Sequence, residues 1–545
     1  AKLMDIHGEN SFKAKSYSSA AFNIEKLPVQ LSDLPPEKIF SLKGIGESTG
    51  KKIIEIIKNG NLSALEDIAL KTPPGVIEML SIKGLGPKKI AIIWKEMEIE
   101  SPGELLYACT ENRLTRYKGF GEKSQQSIQE AINFYLKSQG NHLFAEIESY
   151  ALQLTKVFQK AFPENLFEIT GGIKRQSETI DKLEWVTDVP VEKLQAFFTQ
   201  NNYTEEEIQS GSIAFSTPEN VLIQFYSRTK DVFYATLFET SSSPEFYEAW
   251  EKTFKKEKSA FSSEEAIFKS KDIPFIPASL REKPAIITRA QKEDLSKLIQ
   301  PTDIRAIIHS HSKWSDGSNT IEEMAKACID RGLEYLVISD HSKSAAYANG
   351  LSEERIKEQH REIDELNKKL APFKIFKSIE SDILGDGSLD YSDRILSTFD
   401  LVIASVHSNL KMSEEKAMSR LLNAISNPYT TILGHMTGRL LLSRPGYPVD
   451  YTAIIDACAK NNVAIEINAN PRRLDMSWEW VDYALEKNVL LSIDPDAHEI
   501  SEYDNNRYGV LAAQKGGLTP DRNLSSFSLK DFNAFLSAKE ASRKK

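Results

Sequence analysis

Cysteine is rare in this sequence, and long apolar runs are absent. The three cysteines, Cys109, Cys328 and Cys458, lie far apart and form no CxxC pair. Their spacing argues against a disulfide framework and against a thiolate zinc site, and we expect Cys328 and Cys458 to pack inside helices. No run reaches the roughly 18 apolar residues of a membrane span, and no signal peptide is evident. We therefore expect a cytoplasmic protein without a membrane partner.

Histidine is also scarce, with nine in the chain, but six of them follow short apolar runs in the C-terminal half. Asp or Glu occupies equivalent positions after other runs, as in KIFKSIES and VLLSIDPD. Such runs, separated by helix-length polar stretches, predict the parallel strands of an α/β fold. In closed α/β barrels the reactive groups gather at the C-terminal ends of the strands. Nine side chains are predicted to meet there: His309, His311, Asp316, His341, Glu380, His407, His435, Asp496 and His498.

The chemistry of these nine side chains predicts a metal site. Neutral imidazole combined with carboxylate suits Mn²⁺, Zn²⁺ or Fe²⁺ better than Ca²⁺. A single histidine at a strand end is more often a hydrogen-bonded structural residue, but nine such groups in one region favour a site. Nine ligands exceed the coordination of one ion and fit three. We expect three divalent ions, with Mn²⁺ preferred and Zn²⁺ or Fe²⁺ as alternatives.

The net charge of −10 argues against a protein that coats nucleic acid through bulk electrostatics, yet it allows local basic patches. Residues 1–140 contain three related phrases, LKGIGESTGKKI, IKGLGPKKI and YKGFGEKSQQSI. Each joins Gly-apolar-Gly to lysine and to the start of an amphipathic helix. Paired glycines let the backbone turn tightly, and the first N–H groups of the next helix can hold a phosphate.

This repeat is similar to the helix-hairpin-helix motif, which grips the DNA backbone without reading its sequence. One copy would be a weak signal, whereas three copies with lysines predict a DNA-binding region. The partner we expect is therefore DNA, damaged or 3′-ended, bound by a monomer. The residues predicted to contact it are Gly44, Gly46, Lys51, Lys52, Gly84, Gly86, Lys88, Lys89, Gly119, Gly121 and Lys123.

Nearly the whole chain resembles the bacterial family X DNA polymerases that carry a C-terminal PHP (polymerase and histidinol phosphatase) domain. The resemblance lies in GENSFKAKSY, GGIKRQSETIDKLEW, FIPASLRE and the series HSHSKWSDG, SDHS, ESDI, SVHS, GHMTGRLL, EINANPRRLD and DAH. It implies a multidomain fold with an all-α helix-hairpin-helix region, an α+β polymerase-X-like palm and thumb, and a (β/α)7-type PHP barrel. The implied bounds are 1–140 for the hairpin region, 141–245 for the palm, 246–284 for a thumb-like piece and linker, and 285–545 for the barrel.

The resemblance also implies how the ligands divide among three ions. His309, His311, Glu380 and Asp496 would hold the first ion. Glu380 would bridge to the second, which His407 and His435 complete, and Asp316, His341 and His498 would hold the third. Glu380, Asp316 and Asp496 would then be the catalytic residues, acting through metal-bound water. Clustered divalent ions of this kind favour hydrolysis of phosphate esters.

The palm departs from the family pattern. Nucleotidyl transfer needs a carboxylate cluster that holds two metal ions. Here Gly172 stands where the family has serine, and Lys182, Glu184 and Gln224 stand where it has three aspartates, although Arg175 is kept. An ammonium group repels the cation it should bind, so we expect polymerase activity to be lost.

These observations predict a DNA-repair phosphoesterase, acting as a 3′–5′ exonuclease, a 3′-phosphatase or an abasic-site endonuclease. Arg439 and Arg472 follow predicted strands and are candidates to bind the substrate phosphate. Lys52 is a candidate lyase nucleophile, although a lysine that only contacts phosphate is the simpler interpretation. Three alternatives stay open: a weakly active polymerase with a PHP nuclease, a histidinol-phosphatase-like enzyme for small molecules, and a non-enzymatic DNA-binding scaffold.

Overall fold

The structure is a computed structural model. It describes residues 1–9, 11–24, 31–42, 45–137, 140–206, 212–254, 260–292 and 294–543. The chain forms two compact units, Ala1–Leu136 and Lys137–Lys545. In the described ranges, no helix combines the length and the apolar character that crossing a membrane requires.

The first unit is helical throughout its described residues. Its core is built from apolar side chains such as Ile90, Leu105 and Ile132, which are fully buried. Ser101 and Glu104 form a capping box that starts one of the helices, since each side chain accepts a backbone N–H of the other residue. The helices are α1 (Lys2–His7), α2 (Ser11–Ile24), α3 (Pro36–Ile39), α4 (Glu47–Asn59), α5 (Ser63–Leu70), α6 (Pro74–Glu78), α7 (Pro87–Lys95), α8 (Pro102–Thr110) and α9 (Glu122–Lys137).

The second unit opens with a palm-like region. Its strands are β1 (His142–Leu143), β2 (Phe167–Thr170), β3 (Thr179–Ile180), β4 (Leu183–Thr187), β5 (Thr204–Glu206), β6 (Ile213–Ser216) and β7 (Leu222–Ser227). Its helices are α10 (Phe144–Ala161), α11 (Gly171–Arg175) and α12 (Val191–Gln200). A five-stranded sheet has the order β2-β4-β7-β6-β5, in which only β4 and β7 run parallel. Phe158, Trp185, Phe198 and Phe225 pack against one another under this sheet.

Four short helices form a thumb-like region: α13 (Phe233–Thr240), α14 (Pro244–Thr253), α15 (Glu264–Lys269) and α16 (Ala285–Ala290). Their apolar cluster runs from Phe238 to Leu298 and includes Ile286 and Ile287 of α16. The predicted boundary at 284/285 therefore falls inside this cluster, because α16 buries its apolar face against the thumb-like helices.

The rest of the unit is a barrel of seven parallel strands in the order β14-β13-β12-β11-β10-β9-β8. The strands are β8 (Ala306–Ile307), β9 (Tyr335–Ile338), β10 (Lys374–Asp382), β11 (Leu401–Ser405), β12 (Ile432–Leu433), β13 (Ala464–Asn468) and β14 (Leu491–Asp494). A parallel bridge between Ser310 and Ala497 joins the two outer strands just past their C-terminal ends. Strands such as β9 and β11 are buried along their whole length, which explains their continuous apolar sequences.

Helices surround this barrel and close one end of it. They are α17 (Ile321–Asp330), α18 (Glu353–Lys369), α19 (Asp393–Leu396), α20 (Glu414–Ser426), α21 (Tyr451–Asn461), α22 (Val481–Glu486), α23 (Asn506–Lys515) and α24 (Leu529–Arg543). Phe532 of α24 is fully buried against Tyr335 and Phe376 of the strands. The functional groups predicted from sequence follow the strands, so they lie at the C-terminal end of the barrel.

Candidate metal centre

All nine predicted ligands lie at the C-terminal end of the barrel. Eight of them are buried, and His407 is half-buried. Glu380 belongs to β10, while the others lie in the loops that follow β8, β9, β11, β12 and β14. Because parallel strands all point the same way, the ends of these six strands bring the distant residues to one place.

Glu380 is at the centre of the cluster. Its Oε1 lies 3.2 Å from Nε2 of His309, 3.1 Å from Nε2 of His407 and 2.9 Å from Nε2 of His435. Its Oε2 lies 2.9 Å from Nδ1 of His341. A carboxylate surrounded by four imidazoles is well suited to bridge two cations.

A second group surrounds His311. Its ring stacks at 4.3 Å on the rings of both His341 and His498. The carboxylate of Asp316 lies 3.6 Å from Nε2 of His341 and 3.6 Å from Nε2 of His498. This group therefore offers three imidazoles and one carboxylate within reach of one ion.

The described residues contain three groups whose ligand atoms lie within 4.8 Å of one another and could each hold a metal ion. They are His311, Asp316, His341 and His498; His309, His311 and Asp496; and His341, Glu380 and His407. The three ion positions implied by the family resemblance divide the residues differently. In the structure His311 and His341 each belong to two groups, and His435 adds its Nε2 at 2.9 Å from Glu380.

The electrostatics of the centre differ from one imidazole to the next. Burial and two neighbouring imidazoles lower the pKa of His311 to about 3, which keeps this ring neutral, the form that binds metal. Burial also opposes a charge on His407, but the carboxylates of Glu380 and Asp382 outweigh it and raise the pKa of His407 to about 10. The carboxylates of the centre therefore need positive charge from protons or from cations.

Unsatisfied polar atoms show that the centre fits metal ions. Nε2 of His309 and Oε2 of Glu380 are buried, and although each lies close to an opposite group, neither contact has hydrogen-bond geometry among the described residues. Such atoms are costly to bury unless something binds them. The backbones of His309 and Asp496 have φ values of 58° and 52°, a left-handed conformation that is unfavourable for these residues. Imidazole and carboxylate ligands on a strained, dry scaffold suit several divalent ions.

An outer layer of carboxylates orients the ligands. Oδ1 of Asp382 lies 2.5 Å from Nδ1 of His407, and Oε2 of Glu466 lies 2.5 Å from Nδ1 of His309. Oε1 of Glu466 also accepts the backbone N–H of His435 at 3.1 Å. These contacts turn the Nε2 atoms of His309 and His407 towards Glu380.

Glu466 and Arg473 also lie near the centre and are absent from the predicted set. Glu466 directly follows the apolar residues Val463, Ala464 and Ile465 on the way into and along β13, so the rule that identifies the other ligands also applies to it. Arg473 is buried, and its Nε lies 3.8 Å from Oδ2 of Asp496. Nothing in the sequence distinguishes Arg473 from its neighbour Arg472.

The two arginines predicted to bind the substrate phosphate, Arg439 and Arg472, form ion pairs in the structure. Nη2 of Arg439 lies 2.7 Å from Oε1 of Glu178, and Nη2 of Arg472 lies 2.8 Å from Oε1 of Glu146. Both guanidinium groups thus join the barrel to the palm-like region, and their role in binding phosphate stays a prediction.

The structure brings the degenerate palm positions together. Glu184 and Gln224 are partners across the parallel strands β4 and β7. Nζ of Lys182 donates to Oε1 of Gln224 at 2.8 Å and lies 3.2 Å from Oε1 of Glu184. Tyr226 donates its hydroxyl to the same Glu184 oxygen at 2.8 Å. Where the family resemblance implies a cluster of carboxylates, this chain has a single carboxylate that is paired with a lysine. Gly172 lies in α11, close to Ile180.

A second network holds the cations that follow in α11. Nζ of Lys174 lies 2.5 Å from Oε2 of Glu264, and Nη1 of Arg281 lies 2.6 Å from the other oxygen of the same carboxylate. Arg281 is fully buried between the rings of Phe238 and Phe268. Arg175 pairs with Glu282 at 3.5 Å. We call Lys174, Glu264 and Arg281 the palm lock.

In the first unit, helices α4, α7 and α9 each begin directly after the second glycine of a predicted hairpin. Gly84 and Gly119 have φ values of 89° and 97°, which explains the requirement for glycine. A side chain at Gly46, Gly84, Gly86, Gly119 or Gly121 would meet nothing within 4 Å, so these turns are open to a ligand. Gly44 lies outside the described residues.

The predicted lysines of the first unit differ in their contacts. Lys88 and Lys123 are exposed. Lys51 is exposed and pairs with Glu47, and Lys89 donates to Ser124 at 3.2 Å, which links the second hairpin to the third. The ammonium of Lys52 contacts the hydroxyl of Tyr17 and lies 4.7 Å from the centre of its ring.

Comparisons with known proteins place the chain in a family. Residues 1–62 match the helix-hairpin-helix domain, residues 76–133 the SAM-like helix-hairpin-helix tandem, and residues 308–470 the PHP domain. Over 98% of its length the chain is 34% identical to the DNA polymerase/3′-5′ exonuclease PolX of Bacillus subtilis (strain 168), and it covers 97% of that protein. The chain belongs to the bacterial PolX family.

PolX membership confirms the predicted fold class: N-terminal helix-hairpin-helix domains, a polymerase-X-like middle and a C-terminal PHP barrel. PolX membership also confirms the prediction that this is a DNA-binding protein. Part of the chain resembles smaller enzymes. Probable phosphatases of Caldanaerobacter subterraneus and Thermoanaerobacter sp. are 30% and 26% identical over 29% and 42% of the chain, which covers 60% and 91% of those proteins.

Proposed function

We propose that this PolX family member is a metal-dependent phosphoesterase that removes nucleotides or phosphate from the 3′ ends of DNA. The observation that carries the proposal is Glu380, a buried carboxylate with four imidazole nitrogens between 2.9 and 3.2 Å of its oxygens. Apolar side chains at these positions would stabilise the fold at least as well, so the arrangement is better explained by ligand binding.

The nine ligand residues His309, His311, Asp316, His341, Glu380, His407, His435, Asp496 and His498 would hold the ions. Mn²⁺ is our first choice, and Zn²⁺ or Fe²⁺ are alternatives. When bound, divalent ions would neutralise phosphate oxygens and lower the pKa of water. Asp382 and Glu466 keep the Nδ1 atoms of two imidazoles occupied, so that the Nε2 atoms face the centre.

The Bacillus subtilis relative is named as a 3′-5′ exonuclease as well as a polymerase. This name supports exonuclease activity over 3′-phosphatase activity or abasic-site cleavage. The open hairpin turns of the first unit support delivery of DNA by backbone contacts. We propose a monomeric, cytoplasmic enzyme. Lyase activity of Lys52 also stays a proposal, since its ammonium contacts Tyr17.

We further propose that polymerase activity is lost. The relative's name includes a DNA polymerase, but this chain puts Lys182 and Gln224 beside Glu184. The ammonium group of Lys182 lies beside both Gln224 and Glu184, and it donates a hydrogen bond to Gln224. One carboxylate and one amide cannot hold two ions against an adjacent positive charge.

The test compares three reactions of the pure protein with Mn²⁺. The expected result is release of nucleotides from 3′-ended single-stranded DNA, no release of phosphate from histidinol phosphate, and no template-dependent primer extension. Release from histidinol phosphate alone would favour the small-molecule phosphatase, which the resemblance to probable phosphatases also suggests. Primer extension would show that the palm keeps its activity, and no reaction at all would favour a DNA-binding scaffold.

A further inference from the structure

Around the metal centre, the loops after β8 and β9 carry basic and aromatic side chains that the nine ligands do not explain. Lys313 follows His311 by two residues, and Lys343 follows His341 by two residues. Both lysines are exposed although the histidines beside them are buried. Among the described residues neither ammonium forms an ion pair with a carboxylate. In a chain of net charge −10, two such cations at the entrance of a carboxylate-rich centre indicate an anionic ligand.

An aromatic ring completes this surface. Tyr347 is half-buried in the short 3₁₀ turn Ala346–Ala348, and its ring centre lies 6.3 Å from that of His341. The ring therefore lies within one base width of the ligand cluster. Aromatic rings beside basic groups are the usual platform for the bases of single-stranded nucleic acid.

Hydrogen bonds between the two loops hold the surface in place. Asn349, at the end of the Tyr347 turn, donates its side-chain amide to the carbonyl of Trp314 at 3.2 Å. Arg355 donates to the carbonyl of Asn349 at 2.7 Å and lies over the Trp314 ring. These bonds join the Lys313 loop to the Tyr347 loop and hold the two backbones at a fixed spacing.

The backbone of Lys343 is also held in place. Its backbone N–H donates to the hydroxyl of Tyr391 at 3.0 Å, and its ammonium lies 5.1 Å from the centre of the same ring. Tyr391 is 5% exposed. A lysine held at its backbone but exposed at its charged end is suited to bind phosphate as a point charge.

We propose that Tyr347, Lys313 and Lys343 form a seat for the 3′-terminal nucleotides of a single DNA strand. The terminal base stacks on Tyr347, and the lysines bind phosphates on the 5′ side of the one placed at the metal centre. The proposal rests on the proposed phosphoesterase function and names the part of the substrate that reaches the centre.

The test uses the full-length protein and an oligonucleotide with 2-aminopurine at its 3′ end, linked by a terminal phosphorothioate that resists hydrolysis, in the presence of Mn²⁺. Stacking on Tyr347 quenches the 2-aminopurine. We expect quenching with the wild type and with Tyr347→Phe, and loss of quenching with Tyr347→Leu. Moving the 2-aminopurine to the 5′ end should abolish the difference between Phe and Leu. Equal 3′ quenching by both variants would overturn the seat.

Hydrolysis of an ordinary strand gives a second readout. Tyr347→Leu should raise KM by about 5- to 100-fold, the loss expected for one stacked base. Lys313→Gln with Lys343→Gln should lower the slope of log affinity against log salt by about 0.7 for each phosphate that a lysine no longer neutralises. Lys460→Gln is the matched control, because Lys460 is exposed in the last turn of α21 at the opposite end of the barrel.

The two hypotheses fail in different ways. Hydrolysis by the wild type with an unchanged KM in Tyr347→Leu would refute the seat alone. Tyr347-dependent quenching without any hydrolysis would support the seat and refute the phosphoesterase.

Discussion

The metal centre and the palm lock both bury charged groups, but only in the palm lock do lysine and arginine hold both oxygens of the central carboxylate. At the centre, the partners of Glu380 are four imidazoles. In the palm lock, the two oxygens of Glu264 are bound by Lys174 and Arg281. A carboxylate that the chain's own cations already hold leaves little for a metal ion to bind, whereas a surplus of carboxylate requires cations.

The same difference separates the metal centre from the palm positions Lys182, Glu184 and Gln224. In the palm, the ammonium group of Lys182 lies beside the Glu184 carboxylate and neutralises its charge, so no metal ion is needed there. The barrel has no lysine or arginine among its nine ligands, and Nε of Arg473 lies 3.8 Å from the carboxylate of one of them, Asp496. The source of positive charge, from the chain or from solution, thus distinguishes a structural network from a binding site.

Glu380→Gln is expected to have the largest effect on hydrolysis, and it tests the comparison between the metal centre and the palm. The amide removes the central negative charge and one ligand oxygen, so we expect Mn²⁺-dependent hydrolysis to fall by about 1,000-fold or more. The wild type should also gain thermal stability with Mn²⁺, by about 2.7 kcal/mol when the ion is at 100 times its Kd. Glu380→Gln should lose that gain. Differential scanning fluorimetry with and without Mn²⁺, beside a nuclease assay, measures both effects.

Glu184→Gln is the matched control for that variant, since it neutralises the palm carboxylate instead. Hydrolysis and the Mn²⁺-dependent gain in stability should stay at the wild-type level. If both carboxylates proved equally important for hydrolysis, the contrast between the two regions would be wrong.

Much of the metal centre is predictable because one simple rule governs it. In a parallel barrel each strand ends at the same face, so a polar residue after an apolar run is placed without knowledge of its partners. The rule gathers all nine ligands from sequence, and it would have added Glu466 had it been applied to AIEIN. It does not assign ligands to ions, because His311 and His341 each reach two groups in the folded chain.

The palm lock could not be predicted, because its partners are far apart in sequence and lie on short elements whose packing the sequence pattern does not give. Lys174 and Glu264 are 90 residues apart. The choice between Arg472 and Arg473 fails for a related reason. Adjacent residues after a strand point in different directions, and only the folded loop sends Arg473 towards Asp496 and Arg472 towards Glu146.

Glu264→Gln tests the palm lock. The substitution leaves the buried Arg281 and the half-buried Lys174 with one neutral partner, and breaking a buried pair costs about 3–5 kcal/mol of unfolding free energy. Chemical unfolding of the full chain measures this loss. Hydrolysis per folded molecule should be unchanged. Glu265→Gln, at the exposed neighbouring position of α15, should change stability by less than about 0.5 kcal/mol.

Asp382→Asn has a smaller expected effect and concerns the layer behind the ligands. Asp382 holds Nδ1 of His407 at 2.5 Å, and loss of such a partner lowers metal affinity or activity by about 10- to 100-fold. Titration with Mn²⁺ during hydrolysis separates the two parameters. Asp188→Asn is the control in the palm-like region, where Asp188 accepts the side-chain amide of Asn165 and the backbone N–H of Leu166. A comparable loss in that variant would contradict the assignment.

The smallest effect is a pH dependence that belongs to the palm lock alone. Burial opposes ionisation of Glu264, but the charges of Arg281 and Lys174 outweigh it and lower the pKa of this carboxyl below its ordinary 4.5. A carboxyl whose pKa falls on folding stabilises the fold above its unfolded pKa and loses that contribution as pH falls through its folded pKa. The stability difference between wild type and Glu264→Gln should therefore be constant near neutral pH and shrink below about pH 4.5. Urea unfolding of both proteins across this range measures it. A difference that grew on acidification would mean that Glu264 is buried as the neutral acid, and the palm lock would then not be an ion pair.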